Sequence, residues 1–134
     1  MSVLVEAAVE TLDGAIQAER DGAGRLELCA DLARDGTTPS AGLIREVRQR
    51  VDIPVNVIIR PRPGDFHYDT GELAVMLADI RECRRAGADG VEEVETEGAP
   101  STATWRLSGV SFDRVLGARA PSPAFSPDDR RRCG

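Results

Sequence analysis

The sequence predicts an α/β protein built on parallel strands, and three observations carry that expectation. Between Val3 and Val91, apolar runs of strand length alternate with amphipathic stretches of helical period. A corner is used twice: Asp21-Gly22-Ala23-Gly24-Arg25-Leu26-Glu27 matches Ala86-Gly87-Ala88-Asp89-Gly90-Val91-Glu92, each with a glycine placed to end a helix and turn the chain into a strand. Strands separated in this way by helices must run parallel, and right-handed crossovers then stack them into a layer or a barrel wall.

The elements follow in order. Ser2 to Ala8, mostly apolar and broken only by Glu6, is the expected first strand, buried on both faces. Thr11 caps a helix that carries Leu12, Ala15, Ile16 and Ala18 on one side and stops at Gly22. Arg25-Leu26-Glu27-Leu28-Cys29 is the second strand. A polar loop through Asp35, Gly36, Thr37, Thr38 and Pro39 leads to Ser40, the cap of a second helix that buries Leu43, Ile44 and Val47 and ends near Arg50. Val55-Asn56-Val57-Ile58-Ile59-Arg60 is the third strand. After the proline-broken segment from Pro61 to Phe66, a third helix begins near Thr70, with Leu73, Val75, Met76, Leu77 and Ile80 as its apolar stripe, and ends at Gly87. A fourth strand starts near Asp89, and regular patterning stops after Val91. Residues 92–134, with prolines at 100, 121, 123 and 127, form the expected irregular tail, in which Trp105, Leu107, Val110, Phe112, Val115 and Leu116 can make one covering segment. The boundary between the patterned unit, 1–91, and this divergent tail, 92–134, is the expected division of the chain.

Composition removes several chemistries. All 17 basic residues are arginine, so a Schiff-base or P-loop lysine is excluded within this sequence. His67 is the single histidine, which excludes a metal site built from two imidazoles of one chain. The net charge of −6 opposes a nucleic-acid partner, and the acids Asp128 and Asp129 dilute the Arg130-Arg131-Arg132 run, which reads as a solvated tail. The apolar runs are far shorter than the roughly 18 residues of a membrane span, so no membrane role is expected. Cys29, Cys83 and Cys133, odd in number and without a CxxC pair, suit a reducing cytoplasm.

Several segments in a fixed order carry a resemblance. Leu26-Glu27-Leu28-Cys29-Ala30 is followed by Gly36-Thr37-Thr38-Pro39-Ser40, then by Ile53-Pro54-Val55 running into Ile59-Arg60-Pro61-Arg62-Pro63-Gly64-Asp65-Phe66-His67-Tyr68, and last by Met76, Asp79-Ile80 and Gly87-Ala88-Asp89-Gly90-Val91. Over about residues 3–91 this series resembles the CutC copper homeostasis family. The resemblance implies a TIM-type barrel, a cytoplasmic and often oligomeric protein, and a link to copper handling. Such barrels run to roughly 250 residues, so the expectation for this chain is a partial TIM-type (β/α) barrel of about four strands. The family's later pattern, Phe-His-Arg and then Ala-Phe-Asp, does not occur, and a shifted reading frame or truncated gene is the expected origin of residues 92–134.

Cys29, at the end of the second strand, resembles a cysteine proposed as a metal ligand in the family. Copper(I) favours thiolates, but the family's other cysteine is replaced by Ala8, so a second subunit or Met76 would have to contribute. A small buried cysteine is the competing reading, and Cys83 and Cys133 have no evident partner. Glu6, Glu27 and Arg60 interrupt apolar strands and are expected to face one another or a cavity, because an isolated buried charge is costly. Glu27, Arg60, Arg62 and Asp65 fall at strand ends, where barrels place their chemistry, and are the candidate catalytic residues. Two guanidinium groups there could grip a small anionic metabolite, or could belong to a structural ion-pair network. His67 reads as a surface residue, and Ser40 as a helix cap rather than part of a phosphate loop. The functional expectation is a copper homeostasis role with possible copper binding and a possible homodimer. The alternatives are a metabolite-binding or catalytic barrel, and a non-functional fragment.

Overall fold

The computed structural model of the chain describes residues 3–93 and the strand Val110–Ser111. Strands β1 (Glu6–Val9), β2 (Arg25–Leu28), β3 (Val55–Ile59) and β4 (Gly90–Glu93) pair in chain order, each pair parallel. Chain order without a reversal distinguishes a barrel wall from a doubly wound sheet, because successive crossovers of one hand keep their helices on one side. Accordingly α1 (Leu12–Arg20) packs on α2 (Ala41–Arg50), and α2 on α3 (Thr70–Arg85), in a single helical layer. This is the expected α/β arrangement of parallel strands alternating with helices. A short strand β5 (Val110–Ser111) then runs antiparallel along the far edge of β4, pairing Ser111 with Gly90 and Val110 with Val91.

Local chemistry explains the helix limits. Thr11 and Ser40 accept hydrogen bonds from the amides of Gly14 and Leu43, at 3.0 and 3.1 Å, satisfying donors that a helix start leaves unpaired. Asp69 caps α3 in a reciprocal box with Glu72. The repeated corner is one motif used twice: Gly22 and Gly87 have φ of +98° and +101°, and the residues after them return amides to Ala18 and Cys83, closing each helix as a Schellman turn.

The core lies between the sheet and the helices. Leu26, Leu28, Val55, Val57, Ile59 and Val91 point into it and meet Ala15, Ile44, Val47, Met76, Ile80 and Cys83. At the N-terminal ends of the strands, Arg48 pairs with Asp89 and donates to the carbonyls of Val51 and Ile53, tying α2 to β4.

Three expectations are corrected. The first strand begins at Glu6 rather than Ser2, and Val3, Leu4 and Val5 are exposed, because β1 has a strand on only one side among the described residues. In α3, Met76, Ile80 and Cys83 are buried whereas Leu73, Val75 and Leu77 are exposed, since the layer has no helix beyond α3 among the described residues. Strand β4 continues two residues past Val91, to Glu93. The expected tail and its covering segment lie outside the described residues, apart from the strand at Val110–Ser111.

Candidate functional site

Side chains alternate across each strand, so the residues that do not face the helices share the other face of the wall. Cα register aligns Glu6 with Arg25, Glu27 with Ala8 and Asn56, and Ile58 with Glu92. Polar groups are therefore gathered on one face. Glu6 pairs with Arg25, and Asn56 Nδ2 donates to Glu92 Oε1 at 2.7 Å. Glu27 lies among these carboxylates. Burial, and then the charges of Glu6 and Glu92, push its carboxyl above the ordinary carboxylate range.

Cys29 follows on the same face at the C-terminal end of β2, with its amide bonded to the Val9 carbonyl. It is 1% exposed. Burial pushes its thiol up to about 12, helped by the negative charges of Glu27, Glu10 and Glu6. At neutral pH it is a thiol and not a thiolate.

Arg60 extends the same face from the end of β3 and is buried. Its guanidinium binds backbone oxygens rather than carboxylates: Nη1 donates to Arg34 and Gly36, Nη2 to Gly64, all within 2.9 Å. Phe66 stacks beneath it, 5.0 Å from ring centre to guanidinium carbon. Glu6, Glu27 and Arg60, expected to face one another or a cavity, find separate partners where partners are seen: Glu6 takes Arg25 and Arg60 takes backbone carbonyls.

Arg62 and Asp65 sit in the next loop. Arg62 pairs with Glu72 on α3 and with Asp65, donates to the His67 carbonyl at 2.7 Å, and lies over the Tyr68 ring. These contacts hold the Glu72 carboxyl below its usual range, the Arg62 hydrogen bond being the largest cause. Asp65 is held low as well, chiefly by the His67 amide and next by Arg62. The structure thus brings Glu27, Cys29 and Arg60 together on one face, while Arg62 and Asp65 belong to a neighbouring loop network. Sequence reasoning missed Asn56, Glu72, Thr38 and Gly36 as members. Asn56 was visible as the one amide in an apolar strand, and Asp69 with Glu72 as a capping-box spacing.

Comparison with known proteins gives the family. The CutC family model matches residues 3–99. The chain belongs to the CutC family. Over 88 residues it is 53% identical to the copper homeostasis protein cutC homolog of Mus musculus and 52% to that of Homo sapiens, covering 66% of this chain and 32% of each relative. A CutC family protein of Salmonella paratyphi B is 49% identical, with 36% of its length covered. The crystal structure of a CutC protein from Streptococcus agalactiae superposes with a TM-score of 0.61 at 35% identity, over 66% of this chain and 44% of that one. The chain therefore spans about a third of the length of the curated CutC relatives it matches.

The CutC names concern copper, so the strand-end donors can be weighed as a copper site. Among the described residues no group of three histidine, cysteine or carboxylate side chains could hold a metal ion. Cys29 offers one sulfur, Ala8 occupies the aligned region of β1, and Met76 is buried in the helix-facing core. One sulfur among carboxylates is a poor match for copper(I), which is selected by soft thiolate and thioether donors. These residues alone do not form a copper centre.

Proposed function

We propose that residues 1–91 form the N-terminal half of a CutC-type barrel, by strand count, and that the chain acts in copper homeostasis. The observation that carries this reading is the family match over residues 3–99, with relatives named as copper homeostasis proteins. Copper(I) is cargo in this reading. Cys29 is the contact this half offers, and further thiolates come from a second copy of the chain or from the rest of a full-length barrel. The buried free thiols Cys29 and Cys83 suit a reducing compartment such as the cytoplasm. A shifted frame or a truncated gene is our explanation for the loss of pattern after Val91, and sequencing the locus tests it: one intact frame through Gly134 contradicts it.

The anion-binding alternative has less support. Both Nη groups of Arg60 and the guanidinium of Arg62 are engaged by protein oxygens, which leaves only the buried Arg60 Nε without a partner, and the adjoining sheet face is rich in carboxylates. The copper reading is tested by deleting the coding sequence in its native host and measuring growth against added copper. A shift in copper tolerance, restored by the intact sequence, is expected; unchanged tolerance contradicts the role. Anaerobic copper(I) titration against a competing chelator then tests the contact, with Cys29→Ser expected to weaken uptake and equal uptake by both proteins excluding Cys29.

A further inference from the structure

Two loops at the strand ends are tied to one residue. The Arg60 guanidinium holds the carbonyls of Arg34 and Gly36, in the β2–α2 loop, at 2.8 and 2.9 Å, and that of Gly64, in the β3–α3 loop, at 2.9 Å. Its backbone completes the tie: the Arg60 amide donates to Thr38 Oγ1 at 2.8 Å, and its carbonyl accepts from the Thr38 amide at 3.0 Å. With a relative exposure of 3%, this is a buried cation whose charge is spread over backbone dipoles, an arrangement that loses much if one partner leaves.

The loop gripped in this way is bent unusually. Asp31 and Asp35 have φ of 51° and 68°, left-handed values that Asp adopts more readily than most residues bearing a side chain, and Gly36 follows at +86°. Its base is fixed by the paired backbones of Ala30 and Thr37, and its crest by Glu10, which accepts from the Leu32 amide at 2.8 Å. Gly36 lies against Cys29: a Cβ there would stand 3.5 Å from Cys29 Cβ and Sγ and 3.4 Å from Ile58 Cδ1. The thiol is sealed by the loop on one side and the sheet on the other.

We propose that residues 30–38 form a lid over Cys29 and that Arg60 is the positioning residue that latches it. Release of the guanidinium opens the thiol to soft metal ions or electrophiles while the sheet stays folded. Local opening of this kind has a lower free-energy cost than global unfolding, and a loop held by a few hydrogen bonds is where it occurs.

Cys83 supplies an internal reference, because it is 2% exposed, its thiol is likewise pushed up to about 12, and it lies in the helix–sheet core away from the lid. Alkylation of the full chain by iodoacetamide, read cysteine by cysteine through peptide mass spectrometry, therefore separates lid opening from unfolding. In Arg60→Met the rate at Cys29 rises about ten-fold relative to Cys83, as expected for loss of charge-assisted bonds that hold the lid and the neighbouring Gly64 loop but not the core around Cys83. Arg60→Lys keeps the charge but not the fork, so it gives a smaller rise and serves as the folded variant if Arg60→Met does not fold. Gly36→Ala, which places a methyl against Cys29 at a positive φ, gives the same selective rise by disturbing the lid directly. An unchanged ratio of Cys29 to Cys83 labelling in the folded Arg60 variants overturns the latch. Equal acceleration at both cysteines overturns it too, because that is the signature of general destabilisation.

Discussion

Glu27 is a half-buried carboxyl flanked by Glu6 and Glu92, so its ionisation is harder in the folded chain than in the unfolded one. The sign of the consequence follows from linkage. Where the folded-state value lies above the unfolded one, the folded chain binds more protons, and stability falls as pH rises from the ordinary carboxylate range through the raised value. Glu27→Gln removes that loss. Thermal melts should show the variant more stable than the parent at neutral pH, with the two converging at acid pH where Glu27 is protonated in both states; a variant less stable at pH 7 would mean that the carboxylate has a favourable partner. Residue identity alone revealed that Glu6, Glu27 and Arg60 needed partners, because charges in apolar strands demand them. It did not reveal which partners. Arg60 takes its oxygens from Arg34, Gly36 and Gly64, backbone groups that carry no sequence signature.

The helices and corners were the most legible elements. Thr11 and Ser40 announce caps by their chemistry, and the two glycine corners announce Schellman turns because a left-handed residue after a helix favours a residue without Cβ. Gly87→Ala tests this directly. Left-handed geometry costs a Cβ-bearing residue roughly 1–2 kcal/mol, and the new Cβ would also stand 3.1 Å from Cγ of Arg48, a side chain anchored by Asp89, Val51 and Ile53. Gly22→Ala, with open space around it, should show the backbone cost alone. Chemical denaturation of both variants checks the difference, and equal losses would remove the packing contribution at Gly87. Burial was less legible than element type. An apolar stripe on α3 was evident, yet Leu73, Val75 and Leu77 lie 41%, 50% and 47% exposed, because burial depends on neighbours that helical period does not specify.

For the whole molecule, the described wall is one side of a cylinder with its helices packed on a single face. Val3, Leu4 and Val5 beside β1, and Leu73, Val75 and Leu77 on α3, leave apolar surface at both margins. Such margins promote association. Leu73→Lys combined with Leu77→Lys should alter folding stability by only about 0.5 kcal/mol per site, the ordinary effect of surface changes, while lowering self-association in sedimentation velocity. A large stability loss would show that these leucines are covered in the folded state in solution. Parallel pairing could be read from the alternating pattern, but the strand order that marks a barrel wall could not, since a doubly wound sheet alternates in the same way; the antiparallel strand at Val110–Ser111 lies in a region without periodicity and had no signal either.

The account rests on a parallel wall whose inner face brings Glu27, Cys29 and Arg60 to adjacent strands. Nuclear Overhauser contacts in the isotopically labelled chain test it most directly. The prediction is a parallel pattern that aligns Leu26 with Val55 and Val57 with Val91, together with contacts from the Arg60 guanidinium protons to the α-protons of Gly36 and Gly64. Close Hα–Hα pairs of antiparallel strands between β2 and β3, or an Arg60 side chain in contact only with water, would contradict it.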